Sequence, residues 1–315
     1  VWTGDVAVST IKHYEGEQPL FLKISFARPH SPYDPPQRIL EMYENIEIPA
    51  PAEGEWSKHI GKDITDPQAD SSAAFAQFST EYVKNTRKHY YAAVTFIDEQ
   101  VGRIVKALKE KGMYDNTIIC FTSDHGDMMG DHHSWRKTYA YEGSAAIPMI
   151  IKTPKDVEGV HCRGKVIENP VELRDILPTF LDAAGVETPE AMDGRSMLKL
   201  IKEENPQWRR WIDMEHATCY SEENYWCALT DGKIKYIWFL RTGEEQLFDL
   251  VKDPHETVNQ ITNRKYRKQT DELRRAMAEH LSERGDKWVK DGQLQKREKT
   301  LLYSPNYPSG LPTKK

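Results

Sequence analysis

From Glu81 to Lys111 the apolar positions Tyr90, Val94, Ile97, Val101, Ile104 and Leu108 recur at steps of four and three. That spacing draws one apolar stripe along a helix, and Gly112 stands where a helix ends. A shorter helix is predicted over Trp2 to Tyr14, with Val6, Val8 and Ile11 among polar residues. The period then changes. Pro19 to Phe26 is a mostly apolar run of strand length, closed by Ala27-Arg28-Pro29-His30-Ser31-Pro32. Near-continuous apolarity of this kind suits a parallel strand covered on both faces, and the prolines forbid its extension. A proline-rich stretch through Pro35-Pro36 and Pro49-Ala50-Pro51 to about Ala69 reads as a surface excursion with little regular structure. Thr117–Thr122 and Pro148–Lys152 are further buried-strand candidates, and Leu173, Ile176, Leu177, Phe180 and Leu181 share one helical face. Strands alternating with helices predict an α/β domain with a mostly parallel central sheet flanked by helices.

Beyond about Asn205 the pattern shifts again. Trp211–Met214, Tyr225–Leu229, Ile234–Leu240 and Gln246–Leu250 are strand candidates, most of them rich in aromatic residues. Asp231-Gly232 between two of them is a hairpin signal, since glycine accepts positive φ without strain. Leu273, Met277 and Leu281, four apart, mark one amphipathic helix. Strands grouped ahead of a helix predict a smaller antiparallel α+β subdomain. The expected division is 1–205 for the α/β domain and 206–315 for the subdomain, whose polar, lysine-rich tail from Asp291 wraps over the surface. No internal repeat is present.

Composition narrows the function classes. The chain has 315 residues, 38% of them hydrophobic, and 43 Lys and Arg against 49 Asp and Glu give a net charge of −6. That is enough apolar residue for a core, too little in any one run for a membrane span, and the wrong sign for a dedicated nucleic-acid binder. Four cysteines, Cys120, Cys162, Cys219 and Cys227, are too few and scattered for a disulfide framework or a zinc ribbon. Cys219 and Cys227 could pair across a hairpin or stay as free buried thiols.

The densest polar constellation is Ser123-Asp124-His125-Gly126-Asp127, then Gly130-Asp131-His132-His133 and Trp135-Arg136-Lys137. It opens at the carboxyl end of a predicted strand, where open α/β sheets bind ligands. Asp124 and His125, brought together in a turn, offer a carboxylate oxygen and an imidazole nitrogen to a divalent ion. A second cluster, Arg28-Pro29-His30-Ser31-Pro32-Tyr33, also follows an apolar run, and His30 between prolines is rigidly presented for hydrogen bonding or acid–base work.

These motifs resemble the formylglycine-dependent type I sulfatases of the alkaline phosphatase superfamily. The likeness runs from Phe26-Ala27-Arg28-Pro29-His30-Ser31-Pro32 through the Asp124–His132 stretch and Trp135-Arg136-Lys137. It continues over Tyr141-Glu142-Gly143-Ser144, Asp175-Ile176-Leu177-Pro178-Thr179, Asp193-Gly194-Arg195-Ser196 and Asp253-Pro254-His255-Glu256. The resemblance implies an alkaline phosphatase-like fold and hydrolysis of a sulfate monoester, with a sulfated sugar among the candidate substrates. It makes Asp124 and His125 ligands of a divalent metal, usually calcium, and places His30 and Lys137 on the sulfate ester. It also implies an exported or lysosomal-type location. His216, with Asp213 and Glu215, is a candidate sugar contact at a strand end.

Two family features are missing. No Cys/Ser-x-Pro-x-Arg motif, the source of formylglycine, occurs in the chain, and neither does the pair of adjacent aspartates that completes the ion's shell. Ala146 also stands where relatives often carry Arg. The chain is therefore expected to be the C-terminal part of a sulfatase, holding half of an active site and inactive by itself, with formylglycine supplied upstream. Two alternatives stay open. One is a phosphonate or phosphate ester hydrolase of the same superfamily, with His161, His216 or His255 as a further metal ligand. The other is a non-catalytic member that keeps the fold.

Overall fold

The computed structural model describes residues 1–63, 74–157, 159–160, 163–203, 206–217, 219–221 and 223–298. His161, Cys162 and the tail beyond residue 298 lie outside the described residues, as does part of the proline-rich excursion. The chain forms two compact units. One comprises Val1–Pro51, Gly61–Ser123 and Pro148–Val160; the other comprises Ala52–Ile60, Asp124–Ile147 and the described residues from 163 onward. No described helix is long and apolar enough to cross a membrane.

In the first unit, α1 (Trp2–Lys12) and α2 (Thr80–Glu110) pack through Ala7 and Ile11 against Ile104, Ala107 and Leu108. The Ser79 side chain caps α2 by accepting from the Tyr82 amide, and Gly112 at φ +73° closes it. The predicted stripe is buried only at its C-terminal end. Val94 is exposed, and Val83, Ala93 and Gln100 are buried instead. Strand β1 (Ile119–Thr122) pairs antiparallel with β2 (Met149–Lys152). Their facing residues Phe121 and Ile150 are 38% and 60% exposed, so this pair is neither parallel nor covered on both faces.

The expected strand over Pro19 to Phe26 is absent. Its backbone joins no ladder among the described residues. Ile24 and Phe26 pack on the α1–α2 core, whereas Phe21 is 74% exposed. An apolar run becomes a strand only when a neighbouring strand takes its backbone hydrogen bonds, and composition alone does not supply that neighbour.

The second unit contains α3 (Ile176–Ala183) and a four-stranded antiparallel sheet. The sheet is β3 (Ile212–His216), β4 (Trp226–Thr230), β5 (Ile234–Phe239) and β6 (Glu245–Asp249), neighbours in chain order. Asp231-Gly232 forms the β4–β5 turn, where the Asp231 carboxylate accepts from the amides of Lys233 and Ile234, each at 2.9 Å. Helix α4 (Arg267–Ser282) lays Leu273, Met277 and Leu281 on one face of the sheet against Tyr225, Cys227, Leu229 and Tyr236. The other face carries Phe248, Gln246 and Lys235 and is covered by segment 139–142 and Trp56. Trp56 stands 4.9 Å from the Tyr141 ring and 5.7 Å from Phe248. Past the sheet, Val289–Lys290 and Gln293–Leu294 form a short hairpin, and Arg297 donates its amide to the Leu240 carbonyl.

The α3 face predicted from Leu173, Ile176, Leu177, Phe180 and Leu181 is not a core face, since Leu173 and Leu177 are exposed. What anchors this region is polar. Buried Asp175 receives both Arg209 guanidinium nitrogens, at 2.6 and 2.7 Å, and the amides of Glu172 and Arg195. Gly194 is required by close approach, because a Cβ there would stand 1.8 Å from the Arg174 carbonyl oxygen. Cys120, Cys219 and Cys227 are free thiols, so the hairpin pair is not a disulfide. Burial pushes the Cys227 thiol up to about 12.

Candidate active-site loop

Segment 124–144 of the second unit carries most of the chemistry singled out in the sequence. Its path is set by backbone crossings. The Gly126 amide donates to the Ser144 carbonyl at 2.8 Å, and a Cβ on Gly126 would lie 2.2 Å from the Gly143 oxygen. Only glycine fits that crossing. Five non-glycine residues then take positive φ: Met129, His132, His133, Arg136 and Thr138. Such backbone is held only where its surroundings over-determine it, and it concentrates at functional sites. Here the Asp127 carboxylate accepts from the amides of Met129 and Arg136 at 3.1 and 2.9 Å, and the Met128 amide donates to the Arg136 carbonyl at 2.7 Å.

Asp124 and His125 come together. His125 donates through Nδ1 to the Gly126 carbonyl at 2.7 Å, which fixes the tautomer and puts the ring's lone pair on Nε2. That nitrogen stands 3.7 Å from Asp124 Oδ2, and the Asp124 side chain is 83% exposed. One oxygen and one nitrogen donor so placed fit a divalent cation as two of its ligands. Among the described residues no third His, Cys, Asp or Glu joins them in a metal-holding group. A calcium shell takes about 6–8 ligands, so the pair would supply only part of one.

Asp127, Asp131 and His132 of the motif are engaged within the fold. Asp127 braces the loop, and Asp131 accepts from the Ala52 amide at 2.9 Å. His132 is 1% exposed, packed 4.5 Å from the Trp56 ring, with Nε2 on the His255 carbonyl at 3.0 Å. Burial holds its pKa below the ordinary 6.5. The unfolded chain therefore takes up a proton near pH 6.5 that the folded chain refuses. Stability is accordingly expected to fall as pH drops below about 6.5, toward the lowered folded value. Melting temperatures between pH 7.5 and 5 check this, with His132→Gln expected to flatten the acid limb.

Lys137 lies on the same loop, half-buried between Arg136 and Thr138. His216 ends β3, where Nδ1 stands 3.2 Å from the Asn224 carbonyl and the ring stacks on Trp226 at 6.0 Å. Burial lowers its pKa. Its expected partners do not form a sugar cradle with it. Asp213 pairs with Arg174 at 2.7 Å and His280 at 3.6 Å, and Glu215 with Arg284 at 2.6 Å. Strand alternation sends these two acids to the opposite face from His216. His30 belongs to the first unit, exposed, with Nδ1 2.8 Å from the Ser31 carbonyl. Asn224 and Trp226, which hold Thr138, carried no sequence signal, because an Asn in a turn and a Trp in a strand are ordinary there.

Comparison with known proteins puts this arrangement in context. The sulfatase family profile matches residues 4–186, and the profile of the C-terminal region of N-sulphoglucosamine sulphohydrolase matches residues 130–283. An arylsulfatase of Clostridium perfringens is 38% identical over 296 residues, which are 94% of this chain and 60% of the relative. The chain thus spans about three-fifths of that protein's length. One structure solved in complex with its substrate D-glucosamine-2-N,6-O-disulfate superposes with a TM-score of 0.71. It is 22% identical, and the match covers 90% of this chain and 69% of that one. A phosphonate monoester hydrolase from Silicibacter pomeroyi superposes with a TM-score of 0.72 at 25% identity, covering 90% and 60%. With the family profile covering more than half of the chain, and a curated sulfatase aligned along nearly all of it, the chain belongs to the sulfatase family of the alkaline phosphatase superfamily.

Proposed function

We propose that this chain serves the hydrolysis of a sulfate monoester, with Asp124 and His125 as metal ligands and Lys137 on the ester's oxygens. The observation that carries this reading is the Asp124–His125 pair, its tautomer fixed by Gly126, on a backbone strained at positive φ up to Thr138. In the reaction an oxygen nucleophile bonds to sulfur as the ester S–O bond breaks; that bond's electron pair passes to the leaving oxygen, which departs as the alcohol with a proton, beside the charged peripheral oxygens of the sulfate. A divalent ion, most suitably calcium, would polarise those oxygens. The Lys137 ammonium donates to the same charge and stabilises it most as the bond breaks. His30 is a second donor to the ester on the sequence resemblance alone. Formylglycine would supply the oxygen nucleophile and is absent from these residues.

The substrate class proposed is a sulfated amino sugar. Two findings support it: the match to the N-sulphoglucosamine sulphohydrolase profile, and the fold neighbour solved with a glucosamine disulfate. His216 is the proposed sugar contact. His216→Ala in the active enzyme is expected to raise KM several-fold with kcat within about twofold, the signature of lost uniform binding. Unchanged kinetics on a sulfated glucosamine would remove His216 from the site. The likeness to a phosphonate monoester hydrolase favours a second reading, phosphonate ester hydrolysis. Two measurements separate them. Reading the coding sequence upstream of Val1 for paired aspartates and a Cys/Ser-x-Pro-x-Arg motif tests the sulfatase reading. Comparing turnover of aryl sulfate with aryl phosphonate by the full-length product decides between the two.

A further inference from the structure

Lys137 is flanked by two residues in left-handed backbone, Arg136 at φ +70° and Thr138 at φ +88°. A β-branched residue such as Thr adopts that conformation only when something holds it there. On the N-terminal side the holder is local, since the Arg136 amide and carbonyl are bonded to Asp127 and Met128. On the C-terminal side it is the end of the antiparallel sheet. The Thr138 carbonyl accepts from the Trp226 indole N–H at 3.0 Å and from the Asn224 side-chain amide at 3.1 Å. The same Asn224 nitrogen reaches the Thr138 hydroxyl at 3.0 Å. Asn224 and Trp226 are 6% and 5% exposed, so these bonds are screened from water. Asn224 also presents its backbone carbonyl to His216, and Trp226 is the register partner and stacking partner of His216.

We propose that Asn224 and Trp226 are positioning residues for Lys137. They clamp the Thr138 peptide so that the ammonium is presented from a fixed backbone, and they tie it to His216. The catalytic consequence rests on the reading of Lys137 as a sulfate contact; the clamp itself does not. A backbone fixed on both sides sets where the lysine stem starts, and a misplacement near 1 Å can lower a rate by about a hundredfold.

The test uses Asn224→Leu and the milder Trp226→Phe, which removes the indole N–H and keeps a ring against His216. Lysine side chains are labelled by reductive 13C-methylation, and the Lys137 signal is assigned by its loss in Lys137→Arg. In folded variants that signal is expected to move toward the position of solvent-exposed lysines. In the active full-length enzyme kcat is expected to fall about ten- to hundredfold with KM changed less than about twofold. An unmoved Lys137 signal in folded Trp226→Phe overturns the clamp, and that variant carries the test if Asn224→Leu fails to fold. A moved signal with unchanged kcat supports the clamp and overturns the sulfate-contact reading of Lys137 instead.

Discussion

Lys235→Met is expected to lower the stability of the second unit by about 3–5 kcal/mol, the range for breaking a buried ion pair by removing one partner. Lys235 is fully buried on the central strand β5, with Nζ 2.7 Å from the Ala140 carbonyl, 2.6 Å from Glu142 and 2.8 Å from Glu256. Glu256 is 1% exposed and also accepts from the Glu142 amide at 2.7 Å. Without the ammonium, one carboxylate would be left in an apolar interior beside Tyr141 and Phe248. The double variant Lys235→Met, Glu256→Gln is therefore expected to recover most of the loss, and chemical denaturation of the three proteins checks this. A double variant no more stable than the single one would show that packing, not charge, sets the effect.

The pH dependence of the same pair has a definite sign. Burial by itself would lower the Lys235 pKa, but Glu256 and Glu142 hold it above the ordinary 10.5. A raised lysine contributes stability that is complete below about pH 10.5 and is lost as pH climbs through the higher folded value. The wild-type protein is expected to show this alkaline loss and Lys235→Met to lack it. Because Lys235 grips Ala140 and Glu142, it also fixes the exit of the loop that carries Lys137.

The second large effect is expected in activity and not in stability. Asp124→Ala in the active enzyme is expected to reduce turnover on the order of 10²–10³-fold, the equivalent of several kcal/mol of lost charge stabilisation. Its side chain is 83% exposed, so the melting temperature without added metal is expected to stay within about 1–2 °C of wild type. On the proposed reading Asp124 and His125 would supply only two ligands, so calcium is expected to raise the melting temperature little at millimolar concentration. Scanning calorimetry with and without calcium, alongside sulfate release, separates the two roles. A tight calcium-dependent rise in this chain would contradict a partial shell.

Much of this molecule was legible in its sequence. Periodicity located α1, α2, all four strands of the C-terminal sheet, the Asp231-Gly232 turn and the Leu273–Met277–Leu281 face of α4. In each case a local rule and the tertiary contacts agree. The run of motifs from Arg28 to Glu256 identified the family, and the comparisons bear it out. The misreadings share one cause. Phe21 to Phe26 is as apolar as a buried strand, yet a strand is a relation between two segments, and this one joins no ladder among the described residues. Leu173 and Leu177 repeat at helical spacing, but the buried Asp175–Arg209 pair decides how that region sits. The Asp213–Glu215 cluster is committed to ion pairs with residues distant in sequence.

The sequence by itself determined the family, the secondary elements that obey local periodicity, and the residue types at the candidate site. Only the tertiary structure decided which of those residues are engaged in holding the fold. Spacing alone could not tell exposed Asp124 and half-buried His125 from Asp127, Asp131 and His132, which lie within the same ten residues and brace backbone. The physical reason is that a side chain's role depends on its burial and on which donors and acceptors face it. Asn224, Trp226 and Ala52 lie many tens of residues away along the chain, and only folding brings them to the loop.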